Sequence, residues 1–207
     1  MDTATSGIAN KRASDILDQV KSVFALNGFE GTSMQDLAQA TQMSVGNFYR
    51  YFSSKDAIIT ALVKRDLMEI EAVFGAIQTA SDPGAMFMTL LRHRIETLPF
   101  EEAALWSEVQ AASYRCPEIA TLIRTMDETV RNNVVMALVR IHGDDSADAM
   151  TAYETRAHLI MLLIHGFTQR KYCTRDAVNP DQAAAFGELV LSTLHDTIFA
   201  PPTKPAE

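Results

Sequence analysis

The sequence predicts an all-α protein, with an N-terminal three-helix domain built on a helix-turn-helix and a larger C-terminal helical domain. Three observations carry that prediction. Apolar residues recur every three or four positions along most of the chain, and no stretch alternates as a strand would. The breaks between these runs fall at helix-ending and helix-starting residues, such as Ser81-Asp82-Pro83-Gly84 and Asn179-Pro180-Asp181. Finally, Ser33 to Phe52, SMQDLAQATQMSVGNFYRYF, reads as two short helices around a tight turn.

In chain order, Lys11 to Asn27 places Ala13, Ile16, Leu17, Val20, Phe24 and Ala25 on one face of an amphipathic helix that Gly28 ends. Phe29 is then free to tuck beneath the next pair of helices. Ser33 suits a helix N-cap, followed by Met34, Leu37 and Ala38 over about two turns. Thr41-Gln42-Met43 breaks the pattern, and Ser44 offers a second cap before Val45 to Phe52. In that helix Phe48, Tyr51 and Phe52 are spaced to bury one face, leaving Gly46, Asn47, Tyr49 and Arg50 outside. A glycine there costs about 1 kcal/mol relative to alanine, so either close approach of a nucleic-acid backbone or internal packing must favour it. Arg reaches guanine edges or phosphate, Tyr and Ser reach phosphate, and free N–H groups at the Ser44 end suit an anion.

From Lys55 a helical pattern continues to about Ala80, too long for the head alone and suited to linking it to the next domain. Pro83 opens a helix to about Leu98, which Pro99 closes. Glu101-Glu102 stand in the first turn of another, through Trp106 to Arg115, where carboxylates suit the macrodipole. Pro117 starts a long helix to His142, ended by Gly143 and the acidic loop Asp144-Asp145-Ser146. Thr151 to Lys171 is the next helix, and its centre, Leu159 to Ile164, is apolar on every side, as a helix buried all round would be. One face of it suits its own core and the opposite face a second subunit. The last helix, Gln182 to Phe199, carries a stripe of Ala183, Phe186, Val190, Leu194 and Ile198. These boundaries divide the chain into a reading domain at 1–54, a second domain at 55–199 and a disordered tail at 200–207.

Composition bounds the function. An apolar fraction of 47% and a charged fraction of 21% are those of a globular chain, and the longest apolar run is far shorter than a membrane span. The N-terminus shows no basic-then-apolar signal, and Cys116 and Cys173 lie far apart without metal-binding spacing, so a reducing cytoplasm is expected. The net charge of −8 is unevenly spread: residues 1–65 hold seven Lys/Arg against six Asp/Glu, so the acidity lies in the rest. A head carrying Lys11, Arg12, Arg50, Lys55, Lys64 and Arg65 is compatible with phosphate binding. No phosphate-cradling glycine loop, nucleophile elbow or paired His-metal motif is present, so catalysis, a metal and a cofactor are not expected.

The run Gly31-Thr32-Ser33-Met34, Leu37-Ala38, Ser44, Gly46, Phe48-Tyr49, Tyr51-Phe52 and Lys55 closely resembles the DNA-binding domain of TetR-family transcriptional regulators, from about Arg12 to Leu62. The resemblance implies that Ser33, Ser44, Val45, Gly46, Asn47, Tyr49, Arg50 and Lys55 face double-stranded DNA, Lys55 as a phosphate contact. Two departures stand out. Thr41-Gln42 replaces the usual Ala-Gly, so Gln42 must turn without glycine's freedom. Val45 stands where Lys is common, removing a phosphate charge or offering contact to a thymine methyl.

The resemblance also implies a homodimer joined through the last two helices, presenting two heads to a palindromic operator. Leu105-Trp106-Ser107-Glu108 through Tyr114-Arg115-Cys116-Pro117-Glu118 loosely resembles the effector domains of the family. Candidate pocket residues are Phe87, Leu91, Trp106, Gln110, Tyr114, Met126, Met161 and His165, mostly apolar with a few polar groups. Each also suits plain core. His165 comes two helical turns after His158 and reads as a hydrogen-bonded core or interface histidine. The function expected is a repressor released by a small, mostly apolar effector; the alternative is a ligand-independent architectural or partner-binding protein of the same fold.

Overall fold

The computed structural model describes residues 3–97, 100–173 and 179–201. The described residues form helices only: α1 (Thr3–Asn27), α2 (Met34–Ala40), α3 (Val45–Tyr51), α4 (Lys55–Thr79), α5 (Pro83–Thr97), α6 (Phe100–Ser113), α7 (Pro117–His142), α8 (Ala147–Cys173) and α9 (Pro180–Phe199). They make two compact units, residues 1–66 with 99–124, and residues 67–98 with 125–207. The division falls inside α4 and again inside α7, so both helices contribute to each unit. It also assigns α6 to the unit that holds the helix-turn-helix.

In the first unit α6 packs along α1, and α2 packs on α1 and α3. Ile16, Leu17, Val20 and Phe24 of α1 are buried with Leu37, Ala38, Phe48, Ile58, Ile59 and Leu62, as well as Leu105 and Val109 of α6. The helix ends are set by capping. At Gly28 the chain leaves α1 with φ +73°, a left-handed conformation that only glycine adopts cheaply. The next glycine, Gly31, answers to space, since a Cβ there would run into the Asn27 carbonyl oxygen. Ser33 then closes a capping box: its hydroxyl accepts from the Asp36 amide at 3.2 Å while Asp36 Oδ2 accepts from the Ser33 amide at 2.8 Å.

The second unit gathers Phe74, Ile77, Phe87, Leu91 and Ile95 with Leu138, Tyr153, Ala157, Ile160, Leu194 and Ile198 in one apolar core. Here α9 packs on α5 and α8. The α8 helix starts four residues before the expected Thr151, because Ser146 caps it: its hydroxyl accepts from the Ala149 amide and its carbonyl from the Met150 amide. Leu159 and Leu162 are exposed, Leu162 at 67%, so the apolar centre of α8 is buried on one side only in the single chain. Phe186 likewise faces outward, while Leu191 joins Val190, Leu194 and Ile198 in the core. The tail is tied at its start, the Arg156 guanidinium donating to the carbonyls of Ala200 and Pro201. The break at Pro99 and residues 202–207 lie outside the described residues.

Candidate nucleic-acid interface and effector region

The two short helices of the first unit are held at a fixed turn. The Thr41 hydroxyl, buried, donates to the carbonyls of Leu37 and Ala38, and Gln42 takes φ +56° where a glycine would be cheaper. Ser44 caps α3, its hydroxyl accepting from the Asn47 amide at 3.3 Å. Phe48 is fully buried, and the chain turns extended at Phe52, which brings that ring to 6.0 Å from Phe48. Tyr51 does not join them. It lies on the other flank of Phe48 and is 38% exposed, so the buried wedge of α3 is narrower than its three aromatics suggest.

What α3 leaves outside is an exposed face of mixed character. Val45, Gly46, Asn47, Tyr49 and Arg50 are all exposed, beside exposed Ser33 and Ser44. Around Gly46 nothing lies within 4 Å of where a Cβ would stand, and its φ is not positive, so neither packing nor strain inside the chain calls for glycine. Ser33 is exposed, but its hydroxyl proton is directed to Asp36 at 2.6 Å, and these bonds hold the Asp36 carboxyl below the usual carboxylate range. Lys55 is half-buried. Its ammonium donates to the Phe29 carbonyl at 2.6 Å and lies 4.6 Å from the centre of the Phe29 ring. Arg65 is turned onto α1, where it pairs with Asp18 at 2.8 Å and donates to the Ser14 carbonyl.

The eight candidate pocket residues divide between the units. Trp106, Gln110 and Tyr114 belong to the first, and Tyr114 is 91% exposed; Phe87, Leu91, Met126, Met161 and His165 belong to the second. Phe87 and Leu91 are core residues, Phe87 packing its ring 5.8 Å from Phe74. Two clefts of about 480 and 280 Å³ lie within the units. The larger is lined by Tyr49, Lys55, Ala112, Arg115 and Cys116 among others, the smaller by Val139, Arg140, Gly143 and Asp145, and neither is lined by a candidate pocket residue. His158 and His165 are exposed on α8, so neither is a core histidine. The crowding of His165 still lowers its pKa below the ordinary value, desolvation acting first, Asp127 opposing it and Arg94 adding to it.

One residue that sequence reasoning passes over is Asn133. Its side-chain nitrogen is buried without a hydrogen-bond partner, two turns along α7 from Met126. The signal is there to be found: an asparagine between Val130 and Ala137 on an apolar helix face. Tyr153 is similar, its hydroxyl buried and unpartnered while its ring stacks 5.5 Å from His142. Among the described residues no group of three or more His, Cys, Asp or Glu is placed to hold a metal, and no helix is long and apolar enough to cross a membrane.

Two capped short helices around a tight turn, the second with an exposed face, define a helix-turn-helix protein. Residues 16–62 match the model of the TetR family of bacterial regulatory proteins, and residues 85–196 match the C-terminal region of BetI-type transcriptional repressors. The chain belongs to the TetR family of transcriptional regulators. It is 28% identical over 158 residues to the HTH-type transcriptional regulator UidR of Escherichia coli, covering 73% of this chain and 76% of that one. The HTH-type transcriptional repressor KstR of Rhodococcus jostii is 28% identical over 168 residues, covering 75% and 78%. Among solved structures, GusR of Salmonella enterica superposes with a TM-score of 0.70 at 21% identity, over 91% of this chain and 95% of that one. A TetR-family regulator of Cytophaga hutchinsonii reaches 0.72 at 18% identity, over 95% and 97%, a likeness of fold alone.

Proposed function

We propose that this regulator is a ligand-responsive repressor that binds a palindromic operator as a homodimer and is released by a small, mostly apolar effector. The observation that carries the DNA-binding part is the exposed face of Ser33, Ser44, Val45, Gly46, Asn47, Tyr49 and Arg50, with an unpacked glycine at its centre. Arg50 reads a base edge or phosphate, Asn47 and Tyr49 hydrogen-bond, and the α3 N-terminus receives a phosphate. Lys55 supports this face from behind, its ammonium holding the Phe29 carbonyl.

The dimer reading rests on the apolar side that the second unit leaves exposed, Leu159 and Leu162 of α8 with Phe186 and Leu189 of α9, the last at 63%. Four large apolar side chains on two adjacent helices suit a self-complementary twofold interface. The heads would then meet successive major grooves, about 34–36 Å apart. The effector reading rests on Asn133, whose buried side-chain nitrogen has no hydrogen-bond partner and could donate to a ligand. Residues 1–54 form the reading domain and 55–199 the effector and dimerisation domain, acting in the cytoplasm without catalysis. The packed state of Phe87 and Leu91 favours, as a second reading, a regulator of the same fold that needs no ligand.

Selection of bound duplexes from a random library, followed by sedimentation of the protein alone, tests the proposal. A palindromic site and a dimer at micromolar concentration are expected; a monomer, or no enriched sequence, refutes it. A thermal-shift screen of small apolar compounds separates the two readings.

A further inference from the structure

Glu108 lies within the segment that matches the C-terminal repressor region, yet its carboxylate acts on the reading head. Oxygen Oε2 accepts from the Phe29 amide at 2.8 Å, immediately after the left-handed Gly28, and the same carboxylate lies 3.6–3.8 Å from where a Gly28 Cβ would stand. The Phe29 peptide is gripped on its other side too, by Lys55 at its carbonyl, and its ring is buried 5.4 Å from Phe24. Helices α1, α4 and α6 therefore meet at one residue. From there the turn runs stiffly into the helix-turn-helix: the Thr32 amide donates to the Phe29 carbonyl, the Thr32 hydroxyl donates to the Gly28 carbonyl at 2.7 Å, and Ser33 caps α2.

We propose that Glu108 is a positioning residue for DNA binding: by holding the Phe29 amide it makes the orientation of α2 and α3 depend on the position of α6. A hydrogen bond weakens steeply once its partners part by more than a few tenths of an ångström or lose alignment. A shift of α6 along α1 therefore either drags the Gly28–Ser33 turn with it or releases it. The exposed Arg115–Glu30 pair, at 3.0 Å, is a second strut between the same elements but a weak one. Two charged side chains packed on the head, Lys55 and Glu108, thus serve its internal geometry, and α6 has a route into the head besides α4.

The inference rests on the DNA-binding reading, and the test separates the two. Full-length Glu108→Ala and Glu108→Gln are titrated against a duplex selected by the wild-type protein, over a range of salt, and exchange of the Phe29 amide is measured without DNA. Glu108→Ala is expected to bind about tenfold more weakly with an unchanged salt slope, because no phosphate contact is lost. Its Phe29 amide should exchange faster, and Glu108→Gln, which keeps an acceptor oxygen, should return to within threefold of wild type. Binding of Glu108→Ala within twofold of wild type, a shallower salt slope, or Glu108→Gln as weak as Glu108→Ala overturns the proposal. Should Glu108→Ala fail to fold, the wild-type exchange decides: an unprotected Phe29 amide overturns it. A wild-type protein that selects no duplex defeats the DNA-binding reading instead, whatever the exchange shows.

Discussion

Replacing Gly46 by alanine separates what the fold requires from what its function requires. Gly46 is the second residue of α3, exposed, with no positive φ and no atom within 4 Å of the Cβ position. Alanine is the better helix former by about 0.5–1 kcal/mol, chiefly because glycine loses more backbone freedom on folding. Gly46→Ala should therefore stabilise the free protein by up to about 1 kcal/mol, or raise its melting temperature by about 2–4 °C. On DNA the sign should reverse. A methyl group forced into a close-packed contact costs about 1–3 kcal/mol, so operator affinity should fall about 5- to 150-fold. Gly31→Ala is the control from the same motif: its Cβ runs into the Asn27 carbonyl, so it should destabilise the free protein. Thermal or denaturant unfolding of the free protein, beside anisotropy titration of a selected duplex, measures both quantities. A destabilised Gly46→Ala, or one that binds operator as well as wild type, refutes the reasoning that the glycine is kept for an outside partner.

Arg50→Ala should weaken operator binding and relax specificity at one position, by about 1–3 kcal/mol for a lost base contact, which repeated site selection would reveal. Lys55→Ala, with its ammonium on the Phe29 carbonyl, should destabilise the head and leave the salt slope unchanged; a slope shallower by about one would make it a phosphate contact. Removing the orphaned amide in Asn133→Leu should leave chemical-denaturation stability unchanged or raise it by about 1–3 kcal/mol, and a clear loss would mean that the amide has a partner. For His165 the folded-state pKa lies below the unfolded one, so the folded state binds fewer protons. Stability is full above about pH 6.5 and declines as pH falls through that value. Thermal unfolding from about pH 7.5 to 5.5 should show this decline and His165→Gln should flatten it; an equally steep decline in the variant excludes His165.

Much of the head is legible in the sequence because short-range chemistry fixes it. Ser33 and Ser44 are caps, Gln42 takes the left-handed turn, and Phe48 is buried, each decided by residues within a few positions along the chain. The errors have a common origin in periodicity. Spacing says which residues share a side of a helix but not how wide the covered strip is, so it assigns Tyr51 to a wedge it does not join and sets Phe186, which is exposed, in one stripe with buried Val190. The apolar centre of α8 shows the same ambiguity in a useful form. A helix apolar all round needs two partners, and a single chain covers only one side of it.

The candidate site is less legible where long-range packing decides roles. Lys55 carries the charge expected of a phosphate contact, yet its nearest partner is a carbonyl 26 positions earlier. Glu108 sits in a motif that resembles part of an effector domain, while its bond is to an amide 79 positions earlier. Neither pairing has a sequence signal, because charge and helical spacing are the same whether the group faces solvent, ligand or backbone. Physical membership explains the pocket residues as well. Trp106, Gln110 and Tyr114 fall in one compact unit, with α6 packed along α1, while Met161 and His165 fall in the other. If Glu108 is the positioning residue proposed, the orientation of α2 and α3 depends on where α6 lies along α1. The bond from Glu108 to Phe29 is the point at which that dependence can be cut by changing a single side chain.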